Sequence, residues 1–462
     1  MEPSLNRRIK ESMLTTPMPF QWEVIRFIEE INLRGFNFSS MGVGKSYTTL
    51  GNLALHPELR PAFIVCPASL KVNWRREALM HIGESTVILS GEKPTPLTGP
   101  WIYVINYDIV AKWLHTILAT KPKLIVYDEL QALKNLRAKR TKACKQLAMH
   151  TPHVIGLSGT PIANRPQELF SILNIVTPHI HPSWNKYAAR YCNAKRKPWG
   201  MDYSGASNLK ELHKTIKPYF IRIKKEDVLK DLPPKQRIIL PVELSNRASY
   251  RKAEENFLRW LEDIKPEKME KALRAEALVK LAELRTLVVD GKMSAISEWV
   301  DNYLETDKKL IVFMCHTDPL HKIYNEHKKH AVMIDGSVSM NKRDAAVQSF
   351  QHDPKCRLFC GNIVAAGTGL TLTASDTTLF GELSYVPTDH AQAEDRNYRI
   401  GTTSSSVQCY YAIAENTLEE KVCDMLHKKM QIIDQVLEGK ESDSAGWAFK
   451  TELFLAMKKK AV

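Results

Sequence analysis

The stretch SSMGVGKSYTTL, residues 39–50, decides how the rest of the chain is read. Gly42 and Gly44 let backbone N–H groups approach an anion, and a helix-forming run follows at once, its N-terminus adding positive potential. In such a loop Gly42, Val43, Gly44, Lys45 and Ser46 are candidate nucleotide-binding residues. Lys45 would reach the β- and γ-phosphates of ATP, and the Ser46 hydroxyl would hold Mg2+. The pattern departs from G-x-x-x-x-G-K-[ST], because Ser39 stands where the first glycine belongs.

Moving outward, short apolar runs rich in β-branched residues recur between helical stretches. Phe63–Cys66, Ile102–Ile105, Leu124–Tyr127 and His153–Leu157 form one set; Leu310–Met314, Ala331–Ile334, Arg357–Cys360 and Thr377–Phe380 form another. Continuous apolar strands alternating with helices predict parallel sheets covered on both faces, hence an α/β chain with two such domains. Between the sets, Leu273, Leu278, Leu281, Leu284 and Val288 repeat at close to helical period, and Asp290-Gly291 is expected to close that helix.

The run Leu124–Tyr127 leads into Asp128-Glu129. Acids at the carboxyl end of a buried strand lie where an open α/β sheet binds its ligand. Asp128 would hold the Mg2+ sphere, and Glu129 would orient or deprotonate an attacking water. Ser158 and Thr160 follow another apolar strand and could sense a γ-phosphate. Far downstream, Arg396 and Arg399 are three apart and share a helix face, which suits bidentate recognition of phosphate. Lys45, Asp128, Glu129, Arg396 and Arg399 are therefore the candidate catalytic set.

Of 462 residues, 65 are Lys or Arg and 51 Asp or Glu, a formal charge of +14. The excess is clustered: residues 131–145 hold six basic residues and no acid, and residues 186–235 hold thirteen against five. Such clustering predicts a polyanion partner. The eight cysteines lack zinc-site spacing and read as reduced thiols, so no structural zinc is expected. No apolar run approaches the roughly 20 residues of a membrane span, and the start MEPSLNRRIKESM has no secretory apolar core. The expectation is no membrane association and an intracellular location: cytoplasm or nucleoid, or host cytoplasm for a viral protein.

Taken in order, these segments resemble the helicase-like motor core of superfamily two, and within it the Swi/Snf-type DNA-dependent ATPases. Pro19-Phe20-Gln21 is similar to the adenine-reading glutamine motif, MGVGKS to motif I, FIVCPASLKVNWRREA to motif Ia and VINYDIV to motif Ib. YDELQALKN resembles motif II, LSGTPIANRPQELF motif III, KLIVFMCHTDPL motif IV, AAGTGLTLTASD motif V and QAEDRNYRIGT motif VI. The segment LFGELSYVPTDHAQAEDRNYRIG is similar to the annealing-helicase, fork-remodelling branch.

The resemblance implies a P-loop fold of two RecA-like parallel-sheet lobes with a helical insertion. Lobe one would be residues 1–180, the insertion and basic linker 181–290, lobe two 291–440, and the tail 441–462. ATP would lie between the lobes, with Gln21 added to its binding residues. Gln131, Ser158, Thr160, Gly367 and Gly369 would couple the ATP and DNA sites. Candidate DNA contacts are Ser69, Lys71, Asn73, Trp74, Asn106, Tyr107, Lys134, Arg137, Lys139, Arg140, His316, Thr317 and Thr368. The implied activity is ATP-driven movement of a monomer along double-stranded or branched DNA, as in fork remodelling or branch migration during repair, replication or recombination. Two alternatives stay open: a strand-separating DNA or RNA helicase, and an ATP-gated DNA-binding module with little turnover. This sequence departs from the family at Gln131, within an Asp-Glu-Leu-Gln motif II, and at Ser39-Ser40, where an acidic pair usually precedes Met-Gly.

Overall fold

The computed structural model describes residues 2–197, 200–263, 271–366, 370–399 and 404–439. Its contacts fall into two compact units. The first contains residues up to 194, residues 203–230 and the chain from 432 to 439; the second contains 195–202 and 231–431. Both are α/β, as two RecA-like lobes require.

The strands, in chain order, are β1 Arg34–Asn37, β2 Ala62–Cys66, β3 Thr86–Ile88, β4 Ile102–Asn106, β5 Leu124–Asp128, β6 His153–Leu157, the pair β7 Lys195–Lys197 and β8 Gly200–Asp202, β9 Phe220–Ile221, β10 Lys235–Val242, β11 Leu310–Met314, β12 Ala331–Ile334, β13 Leu358–Asn362, β14 Thr377–Phe380 and β15 Val407–Ala414. Among the described residues, the first unit's sheet has the order β3-β4-β2-β5-β6-β1-β9 and every pairing is parallel. Every residue of β2, β4 and β5 is buried, because helices cover both faces. Each such buried Ile or Val contributes about 1.5–3 kcal/mol of hydrophobic stabilisation.

Register places the functional ends together. Leu157 of β6 pairs with Asp128 of β5 on one side and with Asn37 of β1 on the other. Three neighbouring strands therefore terminate level, and the loops after them emerge side by side.

The second unit's sheet runs β10-β15-β14-β11-β13-β12, again parallel throughout. The eight strands expected from composition are all present. The strands not expected are β1 with its four residues, the short edge strands β3 and β9, the pair β7 and β8, the polar, half-buried β10 and the eight-residue β15.

One expectation is corrected. The helix between the two strand sets does not close at Asp290-Gly291; it runs from Lys271 to Leu304. Gly291 is needed for its size rather than as a stop: a Cβ there would lie 2.2 Å from Asn246 Oδ1. The apolar residues beyond it, Met293, Ile296 and Val300, pack with β11 and β14 in one core of the second unit. Leu284, Val288 and Tyr250 join another core of that unit, so these helices are part of its body. Lys292 is fully buried and donates to the carbonyls of Gly381 and Ala412 and to Glu419, the last at 2.7 Å. All eight cysteines are free, seven of them buried. Among the described residues no helix is long and apolar enough to cross a membrane, and no cluster of three His, Cys, Asp or Glu side chains is placed to hold a metal.

Candidate nucleotide-binding site

The loop from Phe38 to Gly44 joins β1 to the helix Lys45–Leu55. Gly44 caps that helix with φ of 86°, a conformation glycine adopts without steric cost. A side chain there would also meet Gln21, because a Cβ would come within 2.5 Å of its amide nitrogen. Gln21 is held in place from both ends: Oε1 accepts the Met18 N–H at 2.9 Å, and Nε2 donates to the Val43 carbonyl at 3.2 Å. The glutamine motif and the glycine loop, distant in sequence, are thus in direct contact.

The serine at the first-glycine position has its own task. Ser39 is fully buried, and its hydroxyl accepts the Ile223 N–H at 3.0 Å. Phe38 and Ser40 donate to the carbonyls of Ile221 and Ile223, at 2.8 and 2.9 Å. The phosphate-binding loop is therefore laced to the chain beyond β9. Sequence reasoning missed that segment as a support; the apolar alternation Phe220, Ile221, Ile223 inside a basic run was the available signal.

Lys45 Nζ donates to the carbonyls of Ser39 and Ser40, each at 3.1 Å, which holds the ammonium across the loop mouth. Ser46 is half-buried at the helix start. Asp128 ends β5 with its carboxylate nearly inaccessible, and Glu129 follows at φ of 50°. A non-glycine residue in that left-handed region costs of order 1–3 kcal/mol, so the surrounding bonds must hold it. They do. The Glu129 N–H donates to Asp128 Oδ1 at 2.9 Å, and Gln131 Nε2 donates to Glu129 Oε2 at 2.6 Å.

From Gln131 the network continues into the third loop. The Ser158 hydroxyl donates to Gln131 Oε1 at 2.7 Å, and the Thr160 N–H donates to Ser158 Oγ at 3.0 Å. Glu129, Gln131, Ser158 and Thr160 form one hydrogen-bonded chain along the ends of β5 and β6.

Burial, and then the neighbouring Glu129 carboxylate, push Asp128 up to about 7; the Trp74 hydrogen bond and the Lys45 charge pull the other way. A buried acid and its half-buried neighbour, beside an ammonium and a helix N-terminus, are a donor set suited to a divalent cation with a phosphate chain. Ser46 and Asp128 would hold such a cation together with the phosphates. The residues present fit ATP and Mg2+.

The expected nucleic-acid contacts divide sharply. Ser69, Lys134, Arg137, Lys139 and Arg140 are exposed. Asn73 is half-buried and donates to Glu77 at 2.7 Å. Lys71 Nζ donates to the Leu89 carbonyl and to Asn106 Oδ1, at 3.0 and 3.2 Å. Trp74, Asn106 and Tyr107 are 1%, 7% and 3% exposed, which corrects the expectation that they touch nucleic acid. The Trp74 indole donates to Asp128 Oδ2 at 2.8 Å, and the Tyr107 hydroxyl donates to the Asp128 carbonyl at 2.7 Å. The helix Lys71–Ile82 and the turn after β4 thus bring these two side chains to the end of β5, inside the site.

In the second unit, His316 and Thr317 are exposed after β11. His316 Nδ1 lies 2.7 Å from the buried carboxylate of Glu382, which also forms an ion pair with Arg285 at 3.7 Å. Arg396 is buried, bonded to the carbonyls of Gln392 and Leu370; Arg399 is less buried and bonded to the Asp395 carbonyl and the Thr371 hydroxyl. The helix before them, Pro387–Glu394, is pinned by Glu394, a fully buried carboxylate that pairs with Lys235 and Arg237 and accepts from Tyr411. Those partners outweigh the burial and hold Glu394 well below the usual carboxylate range. Gly367, Thr368 and Gly369 lie outside the described residues.

Residues 21–290 match the family model for the SNF2-related domain, and residues 291–401 match that for the helicase conserved C-terminal domain. The chain belongs to the SNF2-related family. Within that SNF2-related set it is similar to the DNA annealing helicase and endonuclease ZRANB3 of Homo sapiens, 33% identical over 94% of this chain and 42% of the relative. The Mus musculus protein of the same name is 31% identical over 96% of this chain and 43% of its own length. The Caenorhabditis elegans homolog of the SWI/SNF-related matrix-associated actin-dependent regulator of chromatin subfamily A-like protein 1 is 30% identical over 94% of this chain and 63% of the relative. The chain thus spans less than half the length of the two mammalian relatives. Among solved structures it is similar to the Sulfolobus solfataricus SWI2/SNF2 ATPase core in complex with dsDNA: TM-score 0.45, 24% identity, covering 96% of this chain and 97% of that one.

Proposed function

We propose that this chain is a DNA-dependent ATPase that moves along double-stranded or branched DNA, acting in fork remodelling or branch migration. The observation that supports this most is the convergence, at three level strand ends, of Lys45, Asp128, Glu129 and the Ser158–Thr160 loop. That geometry suits phosphoryl transfer to water, a reaction in which positioning and charge do most of the work.

In this reading Gln21 bounds the adenine side, and the N–H groups of residues 42–46 receive the phosphates. Lys45 exchanges its two carbonyl partners for phosphate oxygens. Ser46 and Asp128 hold Mg2+, which when bound would neutralise charge on the β- and γ-phosphates. Glu129, fixed by Gln131, orients the attacking water and takes up its proton. Gln131 and Ser158 report the state of that site to the Thr160 loop, as Gly367 and Gly369 are proposed to do in the second lobe. Arg396 and Arg399 complement the charge of the transferred group, a role worth about 10³–10⁵ in rate where it operates.

DNA is held through its phosphates by Ser69, the exposed run Lys134, Arg137, Lys139 and Arg140, and by His316, Thr317 and Thr368. Recognition by charge and shape, with little base reading, fits such a set. The relatives named DNA annealing helicase and endonuclease support DNA as the substrate.

The test is ATP hydrolysis by the full chain across a panel of single-stranded, blunt, forked and four-way DNA, with strand displacement followed in parallel. Turnover stimulated most by forked or four-way duplex, without net strand separation on blunt DNA, is the expected result. Stimulation by single strands with displacement would favour a strand-separating helicase. No turnover at saturating DNA would favour a binding module and overturn the ATPase reading.

A further inference from the structure

Asp128 is gripped at three atoms. Its two carboxylate oxygens accept from the Glu129 N–H and the Trp74 indole, and its main-chain carbonyl accepts from the Tyr107 hydroxyl. Only the Glu129 contact is local in sequence. Trp74 lies on the helix Lys71–Ile82, and Tyr107 directly follows β4.

That helix has two faces with different duties. Trp74 points inward to Asp128, while the next two residues, Arg75 and Arg76, are exposed. Ser69, also exposed, lies just before it. Lys71 ties the helix start to Asn106, and Asn106 adjoins Tyr107. The surface bearing Ser69, Arg75 and Arg76 is therefore joined to the acid at the nucleotide site by rigid, short connections. A hydrogen bond weakens steeply once its angle or length departs from ideal. A small displacement of the helix is enough to change how the Trp74 N–H meets the carboxylate.

We propose that Trp74 and Tyr107 are positioning residues that hold Asp128 for the cation from two segments distant in sequence, and that engagement of DNA by Ser69, Arg75 and Arg76, on the Trp74 segment, is felt at the nucleotide site through the Trp74 indole. The DNA half of this inference rests on the function proposed above; the grip on Asp128 does not. The coupling is reciprocal: nucleotide must change DNA affinity by the same factor that DNA changes nucleotide affinity.

The experiment uses the full chain and a fluorescent adenine nucleotide whose binding is followed directly. Wild type, Trp74→Phe, Tyr107→Phe and the surface pair Arg75→Ala/Arg76→Ala are compared. The first measurement, without DNA, is the Mg2+ concentration giving half-maximal nucleotide binding. It should rise several-fold in Trp74→Phe and stay at the wild-type value in the surface pair; an unchanged midpoint in Trp74→Phe overturns the grip on Asp128. The second is the ratio of nucleotide affinities with and without a saturating forked duplex, about 5–150-fold for a typical coupled pair. In Trp74→Phe the ratio should collapse toward one while duplex affinity without nucleotide is kept. The surface pair should lose duplex affinity and keep the ratio at saturation. A wild-type ratio in Trp74→Phe, or loss of its duplex affinity, overturns the coupling. A ratio of one in the wild type defeats the DNA-dependent reading instead, and the Mg2+ measurement still decides the grip. Should Trp74→Phe lower the thermal midpoint, Tyr107→Phe, which removes one oxygen and keeps the ring, carries the Mg2+ test, and the affinity ratio of Trp74→Phe is read at a temperature well below that midpoint.

Discussion

Gln131 donates its amide N–H to Glu129 Oε2 at 2.6 Å while its carbonyl accepts the Ser158 hydroxyl at 2.7 Å. An amide is both donor and acceptor without carrying charge, so it joins an acid and a hydroxyl with one side chain. Gln131→Leu keeps the volume and breaks both bonds. Turnover is expected to fall about 10- to 100-fold with nucleotide affinity within about twofold, the range for losing a positioning group. Gln131→Glu would set a second carboxylate beside Glu129 and cost more. Measuring kcat and nucleotide Kd separately checks both.

Lys45→Ala removes the ammonium that spans the loop mouth, and Glu129→Gln removes the base while keeping shape. Both should abolish DNA-stimulated hydrolysis, a loss of at least about 10²–10⁴ for the general base. Glu129→Gln should still bind nucleotide. Undiminished hydrolysis by Glu129→Gln would remove Glu129 from the proposed mechanism.

Lys134, Arg137, Lys139 and Arg140 are exposed and face no acid within their own run. If each neutralises a phosphate, reversing Lys134 and Arg137 to Glu lowers duplex affinity and flattens its salt dependence. Each lost contact should reduce the log–log slope by about 0.9. Titrations at several salt concentrations read this directly; an unchanged slope would take the run off the DNA path.

His390 is fully buried between Phe380 and Tyr411, and its Nε2 accepts the Ser384 N–H at 3.0 Å. Burial lowers it to about 4. A base whose folded value is depressed binds fewer protons than in the unfolded chain. Its stabilisation is thus complete above about 6.5 and is lost as pH falls toward 4. Denaturant unfolding of the wild type should weaken across that window, by on the order of 2–3 kcal/mol from this group. His390→Gln, which cannot titrate there, should flatten the profile.

Lys292 is buried with Glu419 and two carbonyls as its acceptors. Lys292→Met leaves the Glu419 carboxylate buried and unpaired, which should cost about 3–5 kcal/mol. Lys292→Met/Glu419→Leu should recover much of that loss, as followed by chemical denaturation.

How much of this was legible beforehand follows from what each feature depends on. The strands from Ala62 to Cys66 and from Leu124 to Asp128 were readable because a strand buried on both faces must be apolar at every position. The loop at Gly42–Ser46 was readable because phosphate approach demands small residues next to a helix start. Local sequence also carried the Asp128-Glu129 pair and the clustering of positive charge. Which way a side chain turns is another matter. Trp74 and Tyr107 sat in segments resembling DNA-facing motifs, and only the tertiary placement of the helix Lys71–Ile82 and of the turn after β4 brought them onto Asp128. Gly291 read as a helix end because glycine is a poor helix former; the close approach of Asn246 from a distant segment requires it instead. Ser39 looked like a defect in a motif until Ile223, far along the chain, came to bond its hydroxyl. The sequence by itself therefore determined the α/β class, the nucleotide loop and the acids, since these are set by local chemistry and periodicity. Tertiary structure alone decided which polar groups meet, because a hydrogen bond between distant segments depends on how their elements pack, which no local pattern encodes.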